Sequence, residues 1–234
     1  MTEFTYIGSE LELFAGVANW KNYWSRSIHP YIQGDVLEVG AGIGSNTAFM
    51  DSEGEGRWVC LEPDSRLVVQ LSKNLAQNNR RNHEIVTGTL QTLDAAEKFD
   101  TIIYIDVLEH IEDDRGELGN AASRLKPGGR AIVLSPAHQR LYTPFDKAVG
   151  HYRRYDRLML RKISPAGLRL ERLIYLDSLG LALSTANALL LKQSMPTKSQ
   201  LAFWDKCVIP ISRVLDKCTL HSIGKTIVGI WRKE

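Results

Sequence analysis

The sequence predicts a single α/β domain over residues 1–234, with helices on both faces of a seven-stranded sheet. Short apolar runs typical of buried strands alternate along the chain with longer segments of helical periodicity. A glycine-rich segment, VLEVGAGIGSNT, connects the first strand to the helix that follows it. A chain of 234 residues can bury one large core, and no repeat or low-complexity tract divides it.

The alternation predicts the strands and helices in order along the chain. The predicted strands are Val36–Val39, Trp58–Leu61, Glu84–Thr87, Thr101–Ile105, Ala131–Leu134, Leu170–Leu176 and Thr226–Trp231. The predicted helices are Ser9–Ile28, Ser45–Met50, Ser65–Gln77, Asp113–Leu125, Asp156–Lys162, Gly180–Lys192 and Ser199–Cys218. The sequence KPGG at residues 126–129 predicts a turn before strand five, because glycine and proline end helices and favour chain reversal.

Three segments extend beyond this alternation of strands and helices. Residues 1–30 are predicted to form an N-terminal cap helix, and residues 179–220 a helical insertion between strands six and seven. Residues 137–165 are predicted to form a long loop and a helix, and a loop of this length in a compact domain is usually functional. The aromatic residues of the cap segment, which could pack in the core or close over a ligand, are Tyr6, Phe14, Trp20, Tyr23 and Trp24.

The second helix of the insertion carries an apolar stripe at helical spacing. Its members are Leu201, Trp204, Val208, Ile211, Leu215 and Cys218. Such a stripe usually packs in the core, so core packing is predicted, with a cavity cap or a dimer face as the alternatives. Pro210 lies within this helix and predicts a kink, because proline removes a backbone hydrogen bond.

Composition narrows the function classes without selecting one. The net charge of +2 gives no field that would require a nucleic-acid partner. Seven Lys or Arg residues between 151 and 172 form a basic block that suits an exposed helix face, an anionic substrate or a membrane surface. The three cysteines lack the spacing of a disulfide framework or a zinc site, so no metal is predicted.

Targeting signals are also absent from the sequence pattern. The acidic N-terminus does not resemble a signal peptide, and the apolar run at residues 173–191 carries too many polar residues for a typical membrane span. A cytoplasmic protein is therefore expected, with contact at the membrane surface left open. The oligomeric state, monomer or homodimer, is also left open.

The glycine-rich segment predicts a cofactor site. Its glycines allow backbone angles and close ligand approach that side chains would prevent, and the following helix directs its amide end to the ligand. Glu62 ends the second strand 22 residues after Gly40, where a carboxylate can accept hydrogen bonds from both ribose hydroxyls. The GxGxG spacing and the acidic Glu38 disfavour a dinucleotide pyrophosphate and favour the cationic sulfonium of S-adenosylmethionine.

These motifs together resemble those of the class I S-adenosylmethionine-dependent methyltransferases, over nearly the whole chain. The matching motifs are VLEVGAGIG, LEPD, FDTIIYIDVLEHIED and LKPGGRAIVLSPA. The segment LYTPFDKAVGHYRRY is similar to a bacterial subgroup found beside sugar and polysaccharide enzymes. The resemblance implies a Rossmann-like methyltransferase sheet and transfer of a methyl group from S-adenosylmethionine.

The resemblance also implies a set of cofactor-binding residues. These are Glu38, Gly40, Gly42, Gly44, Glu62, Pro63, Thr89, Leu90, Asp106 and Val107. Glu38 would orient the amino-acid end of the cofactor, Glu62 would hold the ribose, and Asp106 would lie under the sulfonium. Thr89 and Leu90 stand where the family often has Gly-Asp, so their contact with the adenine is less defined.

On the acceptor side, His151 is predicted to be the catalytic base, because an imidazole can take a proton near neutral pH. An ordinary structural role for His151 is the alternative. The predicted substrate-binding residues are Tyr142, Tyr152, Arg153, Arg154 and Tyr155. One of the two arginines could instead pair with Asp146 or Asp156 as part of the scaffold. His110 is interpreted as a packing residue.

The function predicted from these observations is methyl transfer to a small-molecule, glycan-linked or lipid-linked acceptor, with oxygen as the expected methylated atom. The alternatives are a nucleic-acid methyltransferase and a non-catalytic, cofactor-binding regulator. NAD-dependent oxidoreduction is disfavoured by the glycine spacing.

Overall fold

The computed structural model describes residues 10–51, 56–78, 83–187 and 197–234, which include one seven-stranded sheet. The strands are β1 (Val36–Val39), β2 (Trp58–Glu62), β3 (His83–Thr87), β4 (Phe99–Ile105), β5 (Leu125–Pro136), β6 (Leu168–Leu176) and β7 (Thr226–Lys233). Their order across the sheet is β3-β2-β1-β4-β5-β7-β6. Strands β1 to β5 pair in parallel, whereas β7 runs antiparallel to both β5 and β6.

Helices follow most strands, as the alternation predicts. The helices are α1 (Glu10–Ala15), α2 (Ala18–Ile28), α3 (Thr47–Met50), α4 (Ser65–Asn78), α5 (Asp114–Arg124), α6 (Pro144–Ala148), α7 (Arg157–Lys162), α8 (Ser178–Ala186), α9 (Lys198–Phe203) and α10 (Ile209–Cys218). The predicted Rossmann-like fold, with its insertion between β6 and β7, is confirmed. The predicted helices Ser9–Ile28 and Gly180–Lys192 lie partly outside the described residues. The first of them is not one continuous helix, because the chain leaves the helical conformation at Gly16 and Val17, between α1 and α2.

The core consists of two apolar layers, one on each face of the sheet. Successive residues of a strand point to opposite faces, so Val36 and Cys60 belong to one layer and Leu37 and Val59 to the other. The first layer includes residues of α2 and α4, and the second includes residues of α5. Helices therefore cover both faces of the central strands, which explains their almost uninterrupted apolar sequences.

Two local predictions need correction. Residues 126–129 do not separate α5 from a later strand, because β5 already begins at Leu125, which pairs with Phe99. The next pair is Arg130 with Thr101, so the four residues KPGG form a bulge near the start of β5. The helix that leaves the glycine-rich segment is the single turn α3, which is too short to direct a strong helix dipole at a ligand.

The insertion packs with a different helical phase from the predicted stripe. Trp204–Val208 forms a π-helical turn immediately before Pro210, where the proline cannot donate the regular backbone hydrogen bond. The wider turn rotates the helix that follows. Ile209, Ser212 and Asp216 are therefore buried, whereas the predicted stripe members Ile211, Leu215 and Cys218 are exposed.

Buried carboxylates attach the insertion to the rest of the domain. Asp216 accepts hydrogen bonds from the Tyr23 hydroxyl at 2.7 Å and from the amides of Asp177 and Ser178 at 2.7 and 2.9 Å. Asp205 accepts a hydrogen bond from the Trp20 amide at 2.8 Å. These carboxylates satisfy amides at the N-termini of α8 and α2, which would otherwise be buried without partners.

The membrane question raised by the apolar run at residues 173–191 has a partial answer. Its first part is the end of β6 and its next part is α8. Throughout the described part of the chain, no helix has both the length and the apolar character needed to cross a bilayer.

Candidate active site

A cavity of about 840 Å³ opens at the carboxyl ends of β1, β2 and β4. Ligands of open α/β sheets bind at this edge, where the loops after parallel strands meet. Its walls come from the glycine-rich segment, the loops after β2 to β5, the cap helix α2 and the insertion helices α8 and α9. The cavity is at the upper end of the range for small-molecule sites, about 300–1,000 Å³.

The glycine-rich loop is attached to the end of β2 by its own backbone. The amides of Gly40 and Ala41 donate to the carbonyl of Leu61 at 2.8 and 3.1 Å. Gly40 has a φ of +69°, and a Cβ at this position would lie 2.6 Å from a methyl group of Val107. Glycine is therefore required here both by the backbone conformation and by the close approach of the loop after β4.

Glu62 lies in the cavity beside this loop and is itself held by backbone amides. One carboxylate oxygen accepts a hydrogen bond from the Gly42 amide at 2.8 Å, and the other accepts one from the Asp64 amide at 2.9 Å. Burial raises the pKa of Glu62, although these amides oppose the shift. A carboxylate has about four acceptor positions, so Glu62 retains capacity for two hydroxyl donors.

The structure brings together most of the predicted cofactor residues. Those that line the cavity are Gly40, Gly42, Glu62, Pro63, Thr89, Leu90, Asp106 and Val107. Glu38 and Gly44 are not part of the cavity wall. Glu38 accepts a hydrogen bond from the Trp58 indole at 3.1 Å within the core, and burial raises its pKa to about 7.

Lys21, a residue of α2 that the sequence analysis did not select, also lines the cavity. Its ammonium group donates to the carbonyl of Ser45 at 2.9 Å. Burial lowers the pKa of Lys21 to about 8, while Asp106 and Glu38 oppose the shift. Loss of hydration raises the pKa of Asp106 to about 6, while His151 and Lys21 oppose this shift. Asp106 thus shares the cavity wall with a cation of the cap helix and a histidine of the loop after β5.

His151 is held in a defined orientation on the cavity wall. Its Nδ1 atom lies 3.0 Å from Asp146, which also accepts two hydrogen bonds of 2.8 Å from Arg154. Burial alone would raise the pKa of Asp146, but the hydrogen bonds from His151 and Arg154 hold it well below its usual value. Asp146 is therefore ionised, so Nδ1 of His151 carries a proton that it donates to this carboxylate, and Nε2 is the ring nitrogen left for a ligand.

The other predicted substrate-binding residues are placed in the scaffold instead. Tyr142, Tyr152, Arg153 and Tyr155 are not part of the cavity wall, whereas Arg154 is. Tyr142 donates its hydroxyl proton to the backbone carbonyl of His151. Arg153 and Tyr155 both contact Asp114, at 2.6 and 2.8 Å, and Tyr152 is exposed. These side chains shape the loop that presents His151.

His110 was interpreted as a packing residue, and the structure places it on the cavity wall beside His151. The two imidazole rings are perpendicular, with centroids 4.5 Å apart. Burial, together with the nearby His151, lowers the pKa of His110 to about 4, so this ring is neutral near pH 7. Glu109, the preceding residue, is fully buried and also contributes to the wall.

Several members of the basic block are engaged within the domain. Arg153 and Arg154 form the ion pairs described above, and Arg157 donates to the carbonyl of His221 at 2.9 Å. Arg172 donates to the Tyr31 hydroxyl at 3.0 Å. Charges used in this way contribute less to a phosphate-binding surface than free ones.

Sequence reasoning missed Lys21 and Glu109, and it selected Asp146 only as a partner for one of the arginines, which the ion pair with Arg154 confirms. Asp146, His151 and Arg154 occur within nine residues, which is a spacing that allows one loop to bring a carboxylate, an imidazole and a guanidinium together. Lys21 and Glu109 reach the cavity through the packing of α2 and of the loop after β4, which no local pattern reveals.

Comparisons with known proteins indicate the family that the chain resembles. Residues 37–131 match the family model of the methyltransferase domain. Demethylmenaquinone methyltransferase from Tropheryma whipplei is 28% identical over 149 residues, which are 63% of this chain and 58% of that relative. The chain thus spans less than two thirds of the relative's length.

Solved structures share the fold at low sequence identity. Coclaurine N-methyltransferase bound to N-methylheliamine and SAH has a TM-score of 0.64 and 12% identity, with 93% of this chain and 72% of that chain covered. The [4+2]-cyclase SpnF has a TM-score of 0.61 and 12% identity, with 97% and 94% covered. The fold therefore accommodates different reactions, and the residues of the cavity must decide the chemistry.

Proposed function

We propose that the chain, which matches a methyltransferase domain over residues 37–131, is a class I S-adenosylmethionine-dependent methyltransferase that transfers a methyl group to the oxygen of a small, partly apolar acceptor. One observation carries this proposal. A single cavity contains both Glu62 beside the glycine-rich loop and His151 oriented by Asp146. The first group suits a nucleoside with free ribose hydroxyls, and the second suits an acceptor that must lose a proton.

The donor side fits S-adenosylmethionine in shape and in charge. Glu62 retains acceptor positions for the ribose hydroxyls, and the glycine loop leaves space that a Cβ would fill. The carboxyl groups of Glu62 and Asp106 favour a cationic ligand over a pyrophosphate. Leu90 and Thr89 offer an apolar surface and polar groups to the adenine.

When bound, S-adenosylmethionine would supply a methyl group on its sulfonium, which the acceptor oxygen would take as the sulfur leaves. The protein mainly aligns the two reactants and excludes water. His151 acts on the acceptor through the lone pair of Nε2, since its Nδ1 proton is held by Asp146. The hydroxyl proton moves to this imidazole as the new carbon–oxygen bond forms.

The acceptor side favours a ligand with an apolar part. The cavity wall includes Leu183 and Phe203, which belong to the insertion helices and are also exposed to solvent. An apolar ring or a lipid tail could pass between these side chains, whereas a purely polar glycan would gain little from them. A lipid-linked or aromatic hydroxyl acceptor is therefore preferred over an unlinked sugar. Contact with a membrane surface would follow from a lipid-linked acceptor.

The alternatives make different predictions for the same purified protein. A nucleic-acid methyltransferase would need an exposed basic surface, but Arg153, Arg154, Arg157 and Arg172 make contacts within the domain. A regulator without catalysis would bind the donor and transfer nothing. An oxidoreductase would bind NADH in place of the donor.

Binding and transfer should be measured separately. In calorimetric titrations, S-adenosylmethionine and S-adenosylhomocysteine should bind with one-to-one stoichiometry, and NADH should not. Labelled methyl groups should then pass to a phenol or quinol with an alkyl tail, and not to tRNA. Binding of NADH without S-adenosylmethionine would overturn the donor assignment. Donor binding with no label transferred to any component of a host-cell extract would favour the regulator.

A further inference from the structure

Three side chains on the cavity wall could act together as metal ligands. Glu109, His110 and His151 each offer one ligand atom, and these atoms all lie within 4.8 Å of one another. Bonds from a zinc-like ion to imidazole nitrogen or carboxylate oxygen are about 2.1 Å, so the ligand atoms of one tetrahedral ion lie roughly 3.4 Å apart. The three ligand atoms would therefore need to move closer together by about 1 Å to bind one ion.

One carboxylate oxygen of Glu109 receives no hydrogen bond from the described residues. Glu109 is 0% exposed, and its Oε2 atom accepts a hydrogen bond from the Ser135 hydroxyl at 2.9 Å. Its Oε1 atom is buried without a hydrogen-bond partner among the described residues. A buried acceptor of this kind is costly unless a proton or a cation compensates it. The Tyr152 amide donates to the Glu109 carbonyl at 2.8 Å, which ties this residue to the loop that carries His151.

His151 is arranged as a metal-binding histidine usually is. The Nδ1 atom of His151 contacts Asp146, a carboxylate that fixes the ring and leaves Nε2 for a ligand bond. The ring of His110 lies against that of His151 at 4.5 Å between centroids. Both residues and Glu109 line the cavity, so an ion could reach them from solvent.

We infer that Glu109, His110 and His151 bind a divalent transition-metal ion. Two imidazoles and one carboxylate suit zinc or iron(II), and they leave coordination positions open. Magnesium and calcium prefer sites made of oxygen ligands, whereas two of the three ligands here are imidazole nitrogens. The sequence alone does not predict this metal site, because residues 109–110 and 151 lie on different loops and no cysteine is involved.

The role of the ion rests on the proposed methyl transfer, although its binding does not. An open coordination position beside His151 can hold the acceptor oxygen and lower the pKa of its hydroxyl group. In the metal-loaded protein His151 would be a ligand, and the hydroxyl proton would leave to solvent when the acceptor oxygen binds the ion, before the water-excluded methyl transfer. This refines the role of His151 given above, since one lone pair cannot serve both purposes.

The binding test uses Co²⁺ alone as a spectroscopic probe on the chelator-treated 234-residue chain. One equivalent should produce a visible absorption band and a calorimetric transition, and Zn²⁺ should displace it while Mg²⁺ should not. Glu109→Gln and His151→Gln should each weaken binding by about 10- to 100-fold or more, the range found even for loss of groups that orient ligands. Thermal unfolding of each variant checks that it is folded.

His29→Gln is the matched control, because His29 is an exposed histidine outside the cavity wall and its replacement should leave binding unchanged. Absence of a one-equivalent transition in the wild-type protein would overturn the inference. An equal loss in the His29 variant would also do so, since it would indicate adventitious binding. A titration with S-adenosylmethionine is run in parallel, so a failed metal site and a failed donor site give different results.

Discussion

The donor side and the acceptor side of the cavity are held by different kinds of interaction. On the donor side, the glycine-rich loop and Glu62 are fixed by backbone amides and carbonyls at the ends of adjacent strands. On the acceptor side, His151 is fixed by a side-chain network in which Asp146 and Arg154 form a charged pair. The first arrangement depends on strand order, and the second on particular charged residues.

This difference indicates how the two sides can vary. A backbone-held donor site keeps its shape when surrounding side chains change, as long as the glycines remain. An acceptor site held by side chains changes with any one of them. The cavity therefore combines a constant donor site with an adaptable acceptor site, which suits a fold that hosts many acceptors. Each prediction below tests one side while the other is monitored.

Replacing His151 should have the largest effect. His151→Ala removes the group that acts on the acceptor hydroxyl, so the rate of labelled methyl transfer should fall by about 10²–10⁴-fold. The affinity for S-adenosylmethionine, measured by calorimetry, should stay nearly the same, because His151 is not part of the glycine loop. A comparable loss of donor affinity would show that the two sides are not separate.

Removing Asp216 should destabilise the helices that wall the acceptor side. Asp216→Ala leaves the Tyr23 hydroxyl and the amides of Asp177 and Ser178 buried without their partner, at a cost of about 3 kcal/mol or more in the free energy of unfolding. Asp156→Ala is the control, since Asp156 caps α7 through the Met159 amide and should cost about 1 kcal/mol. Urea unfolding measures both, and equal losses would contradict the anchoring role of Asp216.

The pH dependence of the free energy of unfolding should reveal the raised pKa of Glu38. Its pKa is about 7 in the folded protein against an ordinary value of 4.5, so the folded state binds the proton more tightly. The associated stability is present below about pH 4.5 and is lost as the pH rises through 7. Between pH 5.5 and 8 the wild type should lose about 2 kcal/mol more than Glu38→Gln. Parallel unfolding curves for the two proteins at both pH values would refute this.

Gly40 tests the donor side with the smallest expected effect. Gly40→Ala places a Cβ at a φ of +69° and 2.6 Å from Val107, so strain of about 1–2 kcal/mol should weaken donor binding by roughly tenfold. Gly119→Ala is the control, because Gly119 lies in α5 with nothing near its Cβ position and should be stabilising by about 0.5–1 kcal/mol. Unchanged donor affinity in Gly40→Ala would show that donor binding does not depend on the close approach of the loop to Val107.

The donor side could be predicted from the sequence because its signals are local. Gly40, Gly42 and Glu62 stand at strand ends, and parallel strands bring their carboxyl ends to one edge. The acceptor side could be predicted only in outline. His151 and Arg154 reach the cavity wall, whereas Tyr142 and Tyr155 have equally suitable chemistry but point into the scaffold. Which side of a loop faces a cavity depends on the elements packed against it.

The apolar stripe of the insertion failed as a prediction for a specific reason. A regular helix would have placed Ile211 and Leu215 beside Leu201, but the π-helical turn before Pro210 changes the phase and exposes them. Ser212 and Asp216 are buried instead, because they bond to Asp177 and cap α8.

The sequence by itself determined the α/β alternation, the glycine-rich loop and the carboxylate at the end of β2, because each follows from residues that are neighbours in the chain. The tertiary structure alone decided that Lys21, Glu109 and His110 share a cavity with His151. Their convergence depends on the packing of α2 and of two separate loops over the sheet edge. Contacts of that kind leave no periodic pattern, since the residues that make them are far apart in sequence.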